Sequence, residues 1–225
     1  MRIHYYSGWF DSALPEQFAE ALRKDIVDKS SIAIIWGAWG IDEYDGIAKN
    51  EWLNPTGIVF DEYHAIDTRM DKAAAQDAVR NASVILLTGG GTVPQMEFIR
   101  EYGLDASIKE GRASVIIGFS AGSHNMAKKY VDAVDNNYES GERAVYSGLG
   151  LDSFAYEPYF SLTNVHRHGL DSSELIQNHL LPLSQEIDIY ATANDAVIRV
   201  ENGKVEVITG EAYLISDSKA QKVEG

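Results

Sequence analysis

Two apolar segments of the chain each end in a glycine-containing turn, and this repetition constrains the fold more than any other feature. Residues 83–88 (SVILLT) lead into residues 89–92 (GGGT), and residues 114–119 (SVIIGF) lead into residues 120–122 (SAG). A helical pattern follows each turn. Continuous apolar runs of this length are typical of strands buried on both faces of a parallel sheet. A strand, a tight glycine turn and a helix form the repeating unit of such a sheet, so the pattern predicts an α/β fold.

The rest of the first two-thirds of the chain extends this alternation. Apolar patterning predicts further strands over residues 3–6, 31–36 and 58–63. Helical spacing predicts a helix that begins at Pro15, a second over residues 73–80 and a third from residue 121 to about residue 130.

The last third of the chain has a different pattern. A short helix is expected over residues 172–180, ending before Pro182, with short strands over residues 197–200, 204–208 and 212–215. An Asn-Gly pair at residues 202–203 separates the first two strands, which is a strong hairpin signal. With no linker or repeat in view, we predict one domain over residues 1–225. Its expected architecture has three layers: a mostly parallel flavodoxin-like sheet, helices on both faces and an antiparallel C-terminal edge extension.

Charge and composition limit the partners that such a chain would have. The 34 acidic and 19 basic residues give a net charge of −15. A field of this sign repels phosphates, so we expect neither nucleic acid nor an anionic membrane as a partner. No apolar run approaches the roughly 18 residues of a membrane span, and the first residues lack a signal-peptide pattern. A cytoplasmic location is the expectation. The absence of cysteine excludes disulfides, zinc–thiolate sites and a thiol nucleophile.

The turn after the second apolar run contains a serine between two glycines, Gly118-x-Ser120-x-Gly122. A sharp turn from strand to helix brings backbone close to backbone, where side chains would collide. Such a turn presents the serine hydroxyl at the sheet edge above the first N–H groups of a helix, which can stabilise an oxyanion. The alternative is an ordinary strand–helix turn in which the serine only caps the helix.

The three glycines after the other apolar run, Gly89-Gly90-Gly91, could present bare N–H groups to an anion. The run lacks the Gly-Lys-Ser/Thr ending of a phosphate loop. Because residue 94 is proline, it is not a dinucleotide fingerprint either. We therefore predict no cofactor. The loop could supply a second oxyanion donor beside Ser120, or it could be only a flexible connection.

Taken together, residues 89–92, Gln95 and residues 118–122 resemble the peptidase E and cyanophycinase family, serine peptidase family S51. The similarity continues through residues 148–151 and 157–160 and reaches residues 193–197. The resemblance implies the class I glutamine amidotransferase-like fold and a Ser-His-acid hydrolase acting on small or aspartyl-containing peptides.

The resemblance also assigns roles to particular residues. Ser120 matches the family nucleophile, and the N–H groups of Ala121 and of the glycine loop match the oxyanion hole. Asp195 lies at the acidic position of the family, and Asp135, fifteen residues after the serine, is a second candidate acid. Because the chain has no cysteine, a thiol-dependent glutamine amidotransferase of the same fold is excluded.

One residue departs from the family pattern. The family carries its catalytic histidine in a Pro-His-Phe/Tyr segment, and here that segment is Pro158-Tyr159-Phe160. A phenol with a pKa of about 10 is a poor general base at neutral pH. His166 and His168, a few residues downstream, could replace the missing imidazole or could be two exposed loop histidines. They could also bind a metal, but two clustered ligands are few and we predict no metal site.

Two functions follow from these observations. The first is a serine peptidase that uses His166 or His168 as its base, with a small peptide or an amino-acid derivative as substrate. The second is a catalytically silent relative that binds a small molecule or peptide, with Tyr159 as a ligand contact. Trp36 and Trp39 could line the substrate site or could pack in the core. A homodimer is a further expectation for a parallel-sheet protein of this size.

Overall fold

The computed structural model of the protein describes residues 2–37, 46–137, 141–162, 166–167 and 170–224. Its strands in the first part of the chain are β1 (Ile3–Ser7), β2 (Ser31–Gly37), β3 (Glu62–Ile66), β4 (Val84–Gly90), β5 (Val115–Phe119), β6 (Lys129–Ala133), β7 (Arg143–Ser147) and β8 (Ala155–Glu157). Those in the last part are β9 (His166–Arg167), β10 (Leu170–Asp171), β11 (Ile189–Thr192), β12 (Val197–Glu201), β13 (Lys204–Thr209), β14 (Ala212–Ser216) and β15 (Lys219–Lys222).

The helices are mostly short. They are α1 (Glu16–Asp25), α2 (Lys72–Asn81), α3 (Thr92–Glu101), α4 (Leu104–Glu110), α5 (Ala121–Met126), α6 (Ser172–Leu175) and α7 (Leu181–Leu183). A π-helical segment at Ile47–Leu53 continues into a 3₁₀ turn at Asn54–Thr56, and a second π-helical segment, Ile176–Leu180, joins α6 to α7. None of these described helices is both long and apolar enough to cross a membrane.

A seven-stranded sheet in the order β13-β12-β1-β5-β4-β2-β3 forms the centre of the structure. The five strands from β1 to β3 in this order are parallel, and the β12–β13 hairpin adds to β1 in antiparallel fashion. This sheet confirms the predicted fold class, including the antiparallel edge extension. The parallel strands form because their apolar residues can be buried on both faces.

Alternate residues of each strand point to opposite faces of the central sheet, and both faces are covered by helices. Ile32 and Ile34 pack on the side of α1, together with Phe18 and Trp52. Ile35, the next residue of β2, points to the opposite face and packs on the side of α2, α3 and α4. The layered arrangement therefore follows from strands that are apolar on both faces.

A second sheet of six strands, in the order β15-β14-β11-β8-β6-β7, was not anticipated. It joins the core of the central sheet through aromatic contacts: the ring of Tyr6 in β1 lies 5.2 Å from the rings of both Phe154 and Tyr156. The predicted strand over residues 212–215 exists but pairs with β11 and β15, and does not extend the edge of the central sheet.

The predicted boundaries of two helices and one strand were wrong. The helix after Ser120 ends at Met126, because the chain then enters β6 and Lys128 N–H donates to the Phe154 carbonyl. The strand expected over residues 58–63 lies at Glu62–Ile66, where it can pair with β2. The last helical region continues past Pro182, since this proline lies in the first turn of α7, where a missing N–H costs little.

Candidate active site

The carboxyl ends of three adjacent strands define the candidate site. β5 lies between β1 and β4 in the sheet, and all three run in the same direction. Residues 8–9 follow β1, the glycine loop 89–91 ends β4, and Ser120 follows β5. Because parallel strands end at a common edge, these three segments are brought together there.

Ser120 occupies a strained backbone conformation, with φ 53° and ψ −111°. Its N–H donates to the Ser7 carbonyl at 2.9 Å, and its own carbonyl accepts from His124 N–H at 3.1 Å. A non-glycine residue held at positive φ costs on the order of 1–3 kcal/mol and persists only where its surroundings impose it. The side chain is half-buried, and its hydroxyl makes no hydrogen bond within the described part of the chain. A serine forced into a sharp turn with an unengaged hydroxyl is the arrangement expected of a nucleophile elbow.

The glycines on either side of Ser120 permit close packing of the turn. A Cβ atom at Gly122 would overlap the Leu87 carbonyl oxygen in β4. A Cβ atom at Gly118 would lie 2.8 Å from Ser123 Cα. Neither position tolerates a side chain unless the backbone moves, so both glycines are required by the geometry of the elbow.

Ser123 connects the ends of β1 and β5 beneath the turn. Its buried hydroxyl oxygen accepts a hydrogen bond from Ser7 N–H at 3.0 Å. The same oxygen lies 2.8 Å from the Ser7 carbonyl and 2.7 Å from the Gly118 carbonyl, to which it can donate its single hydrogen. This contact fixes Ser7, which in turn accepts the N–H of Ser120.

The glycine loop lies directly beside the serine. A Cβ atom at Gly89 would be 3.4 Å from Ser120 Cβ and 2.7 Å from Cε3 of Trp9. Gly90 has φ 121°, a conformation that other residues rarely adopt. A Cβ atom at Gly91 would be 3.2 Å from Nδ2 of Asn136. The loop is thus enclosed by Trp9, Ser120 and Asn136, and bare backbone is what fits among them.

Tyr159 also reaches this edge of the sheet. Its φ is 60°, and its hydroxyl oxygen accepts a hydrogen bond from Trp9 N–H at 2.7 Å. A Cβ atom at Gly8 would lie 2.8 Å from Cε1 of Tyr159 and 2.9 Å from the Asn194 carbonyl oxygen. Tyr159 and the turn that carries Asp195 therefore meet at Gly8, next to Trp9.

The two candidate acids lie on opposite sides of this edge, and both are exposed. Asp195 is in the turn before β12, and Asp135 is in a 3₁₀ turn after β6 with φ 50°. Asn136, the neighbour of Asp135, contacts the glycine loop. Neither carboxylate makes a hydrogen bond to another described residue.

The two candidate bases are described only in part. The backbone of His166 forms the short strand β9 and is paired with Asp171 of β10. His168 lies outside the described residues.

The other four histidines have partners or surroundings of their own. His4 Nδ1 lies 2.7 Å from an aspartate oxygen, and His64 Nε2 lies 3.3 Å from a glutamate oxygen. His124, on α5, is fully buried with its Nε2 3.5 Å from Glu157 Oε2. The pKa of His179 is lowered by burial and by a nearby arginine. Within the described part of the chain, none of these four imidazoles forms a hydrogen bond with the Ser120 hydroxyl.

One tryptophan at this edge of the sheet was not predicted from the sequence. For Trp36 and Trp39 the sequence left open a place in the substrate site or in the core, and Trp36, only 7% exposed, packs in the core beside α1. Trp39 lies outside the described residues. Trp9 is the tryptophan that contacts the glycine loop, with its ring 4.8 Å from that of Trp52. The available signal was its place just after a strand that would end at the same edge as β5.

Within the described ranges, no three acidic or histidine residues are grouped so that they could hold a metal ion. The site consists of a strained serine, a glycine loop, an aromatic pair and exposed carboxylates at the edge of a parallel sheet. This combination defines an α/β protein with a serine elbow.

Comparisons with known proteins identify the family. The sequence profile of Peptidase family S51 matches residues 41–208, so the chain belongs to this family. It is 26% identical to Peptidase E of Salmonella arizonae over 199 residues, which covers 88% of this chain and 82% of that protein. The resemblance inferred from the sequence is confirmed, and the chain belongs to a class of peptidase-type hydrolases.

Two crystal structures share the fold. One is a protein proposed to be a peptidase E from Listeria monocytogenes EGD-e, with a TM-score of 0.62, 16% identity and coverage of 92% of this chain and 98% of that one. The other is a peptidase from an acI-B1 Actinobacterium, with a TM-score of 0.69, 14% identity and coverage of 99% and 94%. At these identities the likeness concerns the fold alone.

Proposed function

We propose that the protein is a serine peptidase in which Ser120 is the nucleophile. The observation that carries this proposal is the strained backbone of Ser120, which places its Cβ beside the bare backbone of Gly89. In such a turn the hydroxyl stands at the edge of the sheet, where a substrate carbonyl can approach it.

The oxyanion would be stabilised by backbone N–H groups on both sides of the serine. Ala121 is the first residue of α5, and the first N–H groups of a helix have no acceptor within the helix. The glycine loop at residues 89–91 would supply the second donor. Donors of this kind are worth about 10²–10³ in turnover rate when they are aimed at the developing charge.

His166 or His168 would act as the general base. The base would take the proton of the Ser120 hydroxyl as its oxygen attacks the substrate carbonyl. The same imidazole would then protonate the leaving amine, and water would hydrolyse the acyl-enzyme. Asp195 is the candidate acid whose turn lies beside Tyr159, and Asp135 is the candidate beside the glycine loop. The family supports a peptide substrate, and small or aspartyl-containing peptides are the proposed class.

Tyr159 supports a second candidate function, a peptidase-like protein that binds a small molecule or a peptide without cleaving it. Its phenol occupies the family position of the histidine and is held by Trp9 N–H at 2.7 Å. A phenol fixed at this edge of the sheet could serve as a ligand contact.

Labelling with a fluorophosphonate probe separates the two functions. The peptidase predicts stoichiometric labelling that is lost in Ser120→Ala. Ser107→Ala, at a fully buried serine of α4, is the control that keeps the label. If His166 or His168 is the base, its replacement by glutamine lowers the labelling rate strongly, and replacement of the other does not. Absence of labelling from pH 6 to pH 9 would exclude an activated serine and favour the binding protein. In that case Tyr159→His should introduce measurable peptidase activity.

We also propose that residues 1–225 form one domain, because side chains of both sheets share one hydrophobic cluster. Urea unfolding followed by tryptophan fluorescence and by far-ultraviolet circular dichroism would then give coincident transitions. The cytoplasmic location and the homodimer remain predictions of the sequence.

A further inference from the structure

Two side-chain amides lie buried behind the glycine loop. Gln95, on α3, is 1% exposed, and Asn125, on α5, is 0% exposed. Nδ2 of Asn125 donates to Oε1 of Gln95 at 2.9 Å, which connects the two helices directly. α3 follows the glycine loop, and α5 follows Ser120.

The remaining donors of this amide pair hold the two ends of the glycine loop. Nε2 of Gln95 donates to the Thr88 carbonyl at 3.1 Å and to the Ile35 carbonyl at 3.2 Å. Nδ2 of Asn125 donates to the Thr92 carbonyl at 2.9 Å. Thr88 and Thr92 are the residues immediately before and after Gly89-Gly90-Gly91.

The hydrogen bonds fix the orientation of both amides. Nε2 of Gln95 must face the carbonyls of Ile35 and Thr88, because an amide oxygen there would oppose two acceptors. Oε1 of Gln95 therefore faces Asn125, which must present its own Nδ2. Each buried donor has an acceptor, so a shift of the loop relative to α5 would leave buried groups unpaired.

We propose that Gln95 and Asn125 are positioning residues that set the distance between the glycine loop and Ser120. The inference rests on the proposed function, in which an N–H group of the loop and that of Ala121 stabilise one oxyanion. The two donors belong to different segments of the chain. The amide pair is a buried side-chain contact that joins both ends of the glycine loop to α5, the helix that begins with Ala121.

Two nearly isosteric variants test the inference. Gln95→Glu keeps an acceptor for Asn125 but removes the donors to Ile35 and Thr88. Asn125→Asp removes the donors to Thr92 and Gln95. Gln76→Glu is the matched control, because Nε2 of Gln76 on α2 also donates to a backbone carbonyl, that of Tyr102, at 2.7 Å. That bond lies away from the strand ends that form the site.

The first measurement is amide hydrogen exchange in peptides that contain residues 89–92. Exchange there should accelerate by about tenfold or more in Gln95→Glu and Asn125→Asp, and should stay unchanged in Gln76→Glu. This readout does not depend on activity, so it still decides whether the pair holds the loop if the serine is silent. If the carboxylate variants do not fold, Gln95→Met removes the same donors without adding a charge.

The second measurement is the rate of fluorophosphonate labelling as a function of probe concentration. We expect the limiting rate to fall about 10–100-fold in both variants, with a half-saturating concentration changed less than about threefold, because the displaced donors act on the oxyanion. A protonated carboxyl can donate a hydrogen bond, and burial raises a carboxyl pKa, so the defect should shrink towards pH 5. Unchanged exchange or unchanged limiting rates in the folded variants would overturn the inference. An unlabelled wild-type protein would instead refute the proposed nucleophile.

Discussion

Two buried serines allow one chemical change to be made in two hydrogen-bonding environments. Ser123 and Ser107 are both 0% exposed, and both lie in helices. The Ser123 hydroxyl bridges Ser7 and Gly118, whereas the Ser107 hydroxyl has no partner within the described part of the chain. We predict that Ser123→Ala destabilises the protein and that Ser107→Ala does not.

The expected change in the free energy of unfolding depends on which buried polar groups lose a hydrogen-bond partner in each variant. In Ser123→Ala, the buried N–H of Ser7 loses its acceptor, which costs about 1–3 kcal/mol, and the lost donor bond adds about 1 kcal/mol. Alanine recovers about 0.5 kcal/mol of helix propensity. The net loss is about 1.5–3.5 kcal/mol, or about 3–14 °C in melting temperature for a chain of this size. In Ser107→Ala no buried group among the described residues loses a hydrogen bond, and only the gain in helix propensity remains. The variant should therefore be more stable than the wild type by about 0–1 kcal/mol.

Urea unfolding at pH 7, followed by tryptophan fluorescence, measures both variants against the wild type. Equal slopes with different midpoints would show that stability itself had changed. If Ser107→Ala loses as much stability as Ser123→Ala, loss of side-chain volume dominates, and the hydrogen-bond argument for both positions is refuted.

Three further variants examine the site edge and the acid response. Tyr159→Phe leaves Trp9 N–H without its acceptor, and the melting temperature should fall by the equivalent of about 1–3 kcal/mol. Gly122→Ala places a methyl group on a carbonyl oxygen of β4, so soluble expression should be lost or the melting temperature sharply lowered. Hydrogen bonds from the Arg69 side chain lower the pKa of Asp67 in the folded protein. Asp67→Asn should therefore destabilise the protein at neutral pH, as measured by urea unfolding. The difference from wild type should shrink as the pH falls below about 4, where the unfolded carboxylate is protonated.

Each of these expectations can fail. Unchanged melting of Tyr159→Phe would mean that water replaces the phenol at Trp9. Normal folding of Gly122→Ala would mean that the elbow relaxes easily. A constant difference between wild type and Asp67→Asn across the acid range would show that charge is not the reason for the effect.

The parallel strands of the central sheet were predictable because their signal is local. β4 and β5 are each a short apolar run followed by glycine, and the β12–β13 hairpin is marked by its Asn-Gly turn. The elbow was predictable for the same reason, since two glycines around Ser120 report a tight turn whatever surrounds it. Gly89-Gly90-Gly91 could likewise be placed beside that turn from the rule that parallel strands end at one edge.

The second sheet was not predictable, because its strands are defined by their partners. β6 begins at Lys129, three residues after Met126, and pairs with β7 and β8, so the end of a segment with helical spacing forms a strand. Pairing of this kind depends on residues far apart in the chain, and strand propensity is a weak guide to it.

The sequence by itself determined the family, the strands of the central sheet and the serine between two glycines, because each depends on residues within one short window. Only the tertiary structure decided what surrounds that serine. It placed Trp9 on the glycine loop, Tyr159 against Gly8, and Asn125 against Gln95. These contacts join residues 30 to about 150 positions apart. They are set by how strands and helices pack, which no local pattern records.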